Sequence, residues 1–529
     1  MAHLSRSRRK LAGSRIALMF PAMCLLALLL FPLMGMWLWL EAPPGLFEPE
    51  PVYMDRVWPL VLRTLGLSVV VVVGSLVLGT LLAWAEIRIR YAGHKLWALL
   101  SLLPLAVPSY LLAKILREQM APEGVLGSLL GREEAFTGFW PAALCLTLTC
   151  TPYVHLLVAA SLQRCPLGEE EAARSLGAST WRVLWTVLAP RLRPTWGFAS
   201  VLVGLYVVSD FGAVAVLDCE VLTWRIYQAH SAQEAVLLGS SLIGLVVPLL
   251  VLVRLIHGRT EDERALSIRQ PERRGATLGM GTSVGLAHVL MVGVGVLIPI
   301  ATMLVWVGQG LERGLQFADV IQPAGTSIYI ATVGAALTVS AALLLAVAGA
   351  RLRGTSAVLA DNAVYVASAL PGILVAVGLL QLFLNLRMEA PTVDWVSLRD
   401  AGMFLFAGFV MRFMSQGYAA LKPTLLRLDQ SQIESARSLG ANGLKRFRTV
   451  ILPHVTPSLL AAYVLLFLSI AKELPITLML IPPGESTLAY AIFDANNEGI
   501  EQNIGLAGLT LLAIAFTLQL GLNRWRRHV

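Results

Sequence analysis

Residues 171–194 read EAARSLGASTWRVLWTVLAPRLRP, and residues 434–457 read ESARSLGANGLKRFRTVILPHVTP. Eleven of these 24 positions are identical at a constant offset of 263, with no gap. Self-similarity at a fixed spacing marks a duplicated unit. Fainter echoes keep the same register: Ala106-Val107-Pro108 meets Ala369-Leu370-Pro371, and Asp210 meets Glu473. The chain therefore divides into two related halves, and each stretch occupies the same place in its own half.

Long apolar runs flank both stretches. The chain has 529 residues, 57% of them apolar and 14% charged, with a mean hydropathy of +0.71. Soluble proteins run about 45–50% apolar and about 25% charged. So little charge cannot hydrate the surface of a soluble chain of this length, which excludes a soluble enzyme, and the composition equally excludes a disordered or fibrous protein. A bilayer core takes about 20 apolar residues in helix. Runs of that kind lie near 16–40, 60–85, 96–116, 138–162, 196–217, 235–256, 283–308, 326–350, 358–384, 401–421, 458–481 and 503–523. Spanning strands would alternate in polarity, and Leu25–Leu30 and Val69–Val73 do not. The expected fold is all-α and integral to the membrane, with about 12 transmembrane helices in two homologous six-helix domains. The first domain covers 1–256. A polar, charged linker covers 257–282, and the second domain covers 283–529. The repeated stretches fall in loops at 163–195 and 422–457, between the fourth and fifth spans of each half.

Charge is sorted by side of the membrane. Arg6, Arg8, Arg9 and Lys10 precede the run 16–40. That run exceeds the 7–15 residues, roughly, of a signal core and is expected to be an uncleaved first span. With the N-terminus inside, Arg88, Arg90 and Lys95 fall in the cytoplasm, and Glu41, Glu48, Glu50 and Asp55 fall outside. Both termini are then cytoplasmic, with Arg524, Arg526 and Arg527 closing the chain. The net charge of +8 reflects this sorting, and no nucleic-acid partner is expected.

Both repeated loops thus face the cytoplasm. Ala172 and Leu176, then Trp181, Leu184 and Leu188, follow helical spacing. Gly177 and Gly440 stand where a helix end followed by a turn favours glycine. Pro190 and Pro453 precede re-entry into the bilayer. The pattern predicts two short helices joined at glycine, an exposed elbow suited to docking another protein.

These loops carry the pattern E-A-A-x3-G-x9-[IV]-x-x-P. Glu171, Ala172, Ala173, Gly177, Val187 and Pro190 match it in the first half; Glu434, Ala436, Gly440, Val450, Leu452 and Pro453 match in the second. Ser435 and Ala189 depart from it by small or apolar exchanges. The pattern resembles the hallmark loop of ABC transporter permeases of the binding-protein-dependent import type. The fused layout, with Leu370-Pro371-Gly372-Ile373, Lys472-Glu473-Leu474-Pro475-Ile476-Thr477-Leu478 and Thr487-Leu488-Ala489, most resembles ferric-iron permeases. Thiamine permeases share the fusion. The resemblance implies a bacterial inner-membrane permease whose two loops dock two copies of a cytoplasmic ATPase, with a periplasmic binding protein delivering cargo. ATP would be used by the partner: this chain has no G-x-x-x-x-G-K-[ST] loop and is expected to bind no cofactor and to be no enzyme itself. Alternating access between inward-open and outward-open states follows, driven by partners that bind the two states differently.

Ionisable residues inside spans are costly and often functional. They are Arg63, Lys114, Asp210, Asp361, Arg412, Lys472 and Glu473, with Glu234 at an edge. Asp210 and Glu473 are repeat-equivalent; they either face the translocation path or pair with a base such as Arg412 or Lys472. The eight histidines form no i,i+4 pair, and Cys24, Cys145, Cys150, Cys165 and Cys219 have irregular spacing, so no metal site, zinc site or disulfide framework is expected. Iron as cargo would be held by the external binding protein. The competing readings are a permease for thiamine, polyamine or sulfate, a secondary transporter built from two sets of six spans, and an integral membrane enzyme; the paired elbows disfavour the last two.

Overall fold

The computed structural model describes residues 54–90, 96–97, 100–105, 107–165, 167–229, 232–257, 274–275, 284–350, 352, 360–361, 364–365, 370–426 and 428–526. The expected span 16–40 and most of the linker lie outside the described residues. Those described are overwhelmingly helical, as a backbone in lipid must be to satisfy its own polar groups. Strand pairing among them is limited to two residue pairs, Ile89 with Arg274 and Arg90 with Gly275, in parallel. Seven described helices are long and apolar enough to cross a bilayer: Arg56–Arg88, Phe139–Gln163, Val284–Glu312, Ala318–Gly349, Gly372–Glu389, Gly443–Ala471 and Glu501–Leu518.

The offset of 263 recurs in element after element. Helix Met54–Arg88 answers to Ala318–Gly349, Phe139–Arg164 to Met403–Leu426, and Ala189–Ser209 to Leu452–Ala471. Each set of three packs together within its own half. Glycines let the backbones approach. A Cβ on Gly79 would lie 2.6 Å from Val154, and one on Gly417 would lie 2.8 Å from Ala342. A hydroxyl pair ties the second and third helices of each set: Thr195 donates to Ser161 at 3.1 Å, and Thr424 bonds Ser458 at 2.7 Å.

The described residues of Phe47–Leu315 and Ala495–Leu509 form one compact unit; those of Gln316–Asp494 and Thr510–Val529 form another. Packing and repeat therefore divide the chain differently. Helix Ile298–Glu312, which overlaps the end of the expected span 283–308 of the second half, packs against Ser109–Gln119 of the first. Gly505 and Gly508 seat against the same helix, where a Cβ would come within 2.9 Å of the Met303 carbonyl oxygen and 2.6 Å of its sulfur.

Four expected spans are not continuous. In 96–116 and 358–384 the described backbone is non-helical at 107–108 and 370–371, and the helices Ser109–Gln119 and Gly372–Glu389 begin after the N-caps Pro108 and Pro371. Proline forces its predecessor out of the helical region, and Pro104 and Pro108 together limit the first of these to 11 residues, about 16 Å of rise. The spans 196–217 and 458–481 break after Ser209 and Ala471, and resume as the short helices Gly212–Val216 and Pro475–Leu480.

Candidate functional site

The two elbows repeat the same elements in register along the chain. Helix Leu167–Ser175 is followed by Thr180–Val183, a π-helical turn Leu184–Leu188 and helix Ala189–Ser209. The second copy runs Gln430–Ser438, Gly443–Arg446, the π turn Phe447–Ile451 and Leu452–Ala471. The expected second short helix is thus no separate arm. It runs through the π turn into the spanning helix. The reason is proline, which removes an amide donor and crowds the carbonyl four residues back. The wider π turn immediately precedes the helices that carry Pro190 and Pro453 near their N-termini.

Each elbow helix ends in the same hydrogen-bonded motif. The Ala178 amide donates to the Ala173 carbonyl at 3.1 Å, and the Gly177 amide donates to the Arg174 carbonyl at 2.8 Å. In the second copy Ala441 donates to Ala436 and Gly440 to Arg437, both at 3.0 Å. This 6→1 and 5→2 pairing is the Schellman closure, which needs a left-handed residue. Gly177 has φ +81° and Gly440 φ +79°, a region that costs any L side chain. Ala173 and Ala436 supply the carbonyls that close the turn. Ala172, Glu171 and Glu434 lie on the exposed side of their helices, as do Pro190 and Pro453.

Sequence reasoning missed two features here. Leu176 and Leu439, the residues just before the glycines, are 89% and 86% exposed. A leucine so bare, twice, at equivalent positions on otherwise polar helices is unusual for a solvated surface, although single exposed leucines are ordinary. The identical ARSLGA in both copies was its signal. The second feature is how the first elbow is tied down. Glu170 is buried and accepts from Arg88, the last residue of helix Met54–Arg88, at 2.8 Å. Arg88 also donates to the Leu162 and Cys165 carbonyls at 3.1 and 3.2 Å. Glu169 pairs with Arg191. The three consecutive glutamates 169–171 read Gln432-Ile433-Glu434 in the second copy.

The repeat-equivalent carboxylates sit at the two helix breaks. Asp210 is buried; Ser109 Oγ donates to it at 2.6 Å and the Ala213 amide at 2.9 Å. Its carboxylate faces the first turns of Ser109–Gln119 and Gly212–Val216, where helix N-termini favour negative charge. Glu473 is seated against Gly372, where a Cβ would lie 2.5 Å from its Oε1. Of the bases considered as partners, Arg412 donates to the Leu370 carbonyl at 2.5 Å. Four further charges named from the sequence form ion pairs: Arg63 with Glu220, Lys114 with Glu118, Asp361 with Lys422, and Glu234 with Arg225. Among the described residues no group of three or more His, Cys, Asp or Glu side chains is placed to hold a metal ion.

Two duplicated halves, broken spans and matched elbows define a membrane-embedded transport component. The sequence matches the family described as "Binding-protein-dependent transport system inner membrane component" over residues 75–262 and 338–529, one match in each half. The chain belongs to this family and is a permease subunit of an ABC importer, a multi-pass inner-membrane protein that works with a substrate-binding protein and an ATPase subunit. It is 27% identical over 465 residues to the Fe(3+)-transport system permease protein FbpB 2 of Haemophilus influenzae, covering 85% of this chain and 86% of that one. It is 30% identical over 172 residues to the sulfate transport system permease protein CysW of Escherichia coli, covering 32% and 57% of the two chains. It is also 30% identical over 167 residues to the molybdenum transport system permease protein ModB of that organism, covering 31% and 72%.

Proposed function

We propose that this permease moves ferric iron, delivered by a periplasmic binding protein, into the cytoplasm. The observation that carries the reading is coverage. The relative named for Fe(3+) transport aligns with both halves over 85% of the chain, whereas those named for sulfate and molybdenum align with about a third. In this reading both termini are cytoplasmic and each elbow seats in one of two ATPase copies. Glu171, Ala172, Ala173, Gly177 and Pro190 shape the first elbow; Glu434, Ala436, Gly440 and Pro453 shape the second. Leu176 and Leu439 supply the apolar contact, since leucines this bare are better covered by a partner than by water. Asp210 and Glu473 belong to the translocation path as the carboxylates that hold the helix breaks beside it.

Uptake of labelled ferric iron, thiamine and sulfate in a deletion strain complemented with this chain tests the cargo. Iron uptake alone is expected to be restored, and restoration of thiamine or sulfate uptake instead would remove the iron reading. Coupling is tested by Gly177→Pro with Gly440→Pro, since proline fixes φ near −65° and cannot close either turn. The ATPase is expected to be lost from the purified complex and transport abolished. Retained assembly with undiminished transport would refute the docking role. Reporter fusions in both elbows should report the cytoplasm.

A further inference from the structure

The first elbow is fastened to the membrane helices by a charge, and the second has no acid at the two positions that carry its ion pairs. Arg88 joins three pieces of chain. It ends helix Met54–Arg88, its Nη2 reaches the Leu162 and Cys165 carbonyls where helix Phe139–Arg164 ends, and its Nε meets Glu170 in the first turn of the elbow helix. Both side chains of the pair are buried. The last carbonyls of a helix carry partial negative charge, and a glutamate in a first turn is favoured by the positive end. One guanidinium therefore serves two helix ends and an acid at once, which its fixed fork of donors suits and a lysine does not. The second copy carries Gln432 and Ile433 at the positions of Glu169 and Glu170, so neither ion pair of the first elbow can be repeated there.

We propose that Arg88 and Glu170 are positioning residues that make the first elbow one rigid body with helices Met54–Arg88 and Phe139–Arg164, so that force from the ATPase reaches those helices through this buried pair. Such a group separates coupling from assembly. An elbow freed from the helices still offers its exposed face to the ATPase but follows it without moving them. This rests on the docking role proposed above, and the test keeps the two apart by including the unaltered complex.

The experiment uses the complete complex, with its ATPase and binding protein, in vesicles, and measures ATP hydrolysed per labelled ferric ion moved. In Glu170→Gln the neutral amide leaves Arg88 buried without its counter-charge. The ratio is expected to rise at least about fivefold, the low end of ordinary coupling between sites, with the amount of assembled complex unchanged. Arg88→Lys keeps the charge but not the fork and is expected to give a smaller rise; it serves as the readout if Glu170→Gln does not accumulate. Ile433→Leu in the second elbow is expected to leave the ratio alone. A purely structural role would lower the amount of complex without changing ATP per ion, and that result, or an unchanged ratio at full assembly, overturns the proposal. If the unaltered complex moves no iron or holds no ATPase, the failure lies with the functional reading instead.

Discussion

The two halves differ most where they are built most alike. At one helix crossing the first half pairs Gly79 with Val154, and the second pairs Ala342 with Gly417 at the same two positions. The small residue has changed sides. At the helix breaks the first half sets Asp210 against Ser109, and the second sets Glu473 against Gly372. The longer acid reaches into the space that the lost side chain vacates. Near the ends of helices Met54–Arg88 and Ala318–Gly349, Glu86 meets His155 at 2.7 Å in the first half, while Gly349 makes room for the Tyr418 hydroxyl in the second. The duplicated unit keeps each contact between the same two positions. It does not keep the residue. Each site is therefore a two-residue device, and moving one member between halves should harm where moving both should not.

The helix breaks give the largest expected effect. Gly372→Ser places a Cβ 2.5 Å from the Glu473 carboxylate oxygen, and overpacking of a tight site costs roughly 1–3 kcal/mol or more. We expect a loss at the upper end, about 3 kcal/mol, read as a lowered thermal midpoint of the purified complex. Adding Glu473→Asp recreates the pairing of the first half and should recover most of it. Failure of the double variant would show that the two breaks are held differently. Next comes the helix crossing. Gly417→Val crowds Ala342, which is 2.8 Å from the added Cβ, and should cost about 2 kcal/mol. Gly417→Val with Ala342→Gly copies the first half and should return near the starting stability, a non-additive pair of the kind expected for residues in contact.

These pairs also show what could be read in advance. The repeat, the helical class and the glycine turns were visible in residues alone, because periodicity and the ARSLGA identity act locally. The continuity of spans near 96–116 and 196–217 was not, because hydropathy counts apolar residues and is blind to Pro104, Pro108 and a capping acid. Asp210 stood out as a charge in a span, but its partners, a serine 101 residues earlier and an amide three residues later, belong to tertiary structure. Glu170 was hidden for the same reason. Among three adjacent glutamates nothing in the sequence tells which one turns inward, although the Gln432-Ile433 in the other copy marks where to look. Helix Ile298–Glu312 was assigned by sequence order to the second half and packs in the other unit, because order along a chain does not dictate which bundle completes its core.

The smallest differences lie in the caps of the elbows. Asn442 accepts from the Lys445 amide at 2.8 Å, whereas its counterpart Ser179 accepts from Arg182 at 3.3 Å. Asn442→Ala should therefore weaken its elbow by about 1 kcal/mol, and Ser179→Ala by less, as a larger and a smaller acceleration of amide exchange in the following turns would show. The second elbow helix has a further cap in Asp429, which accepts from the Ser431 hydroxyl at 2.7 Å and the Ser431 amide at 2.9 Å. These bonds, the hydroxyl's first, hold its carboxyl below the usual carboxylate range. The sign follows from linkage. A depressed value in the folded state means that the cap contributes fully above the unfolded value, about 3.9, and fades as pH falls through the lowered one. Amide protection in Gln430–Ser438 should stay level from neutral pH to about 4 and drop below that. Asp429→Asn keeps an accepting oxygen without the titration, so its protection should lose this acid dependence; an identical drop in that variant would place the sensitive group elsewhere in the elbow.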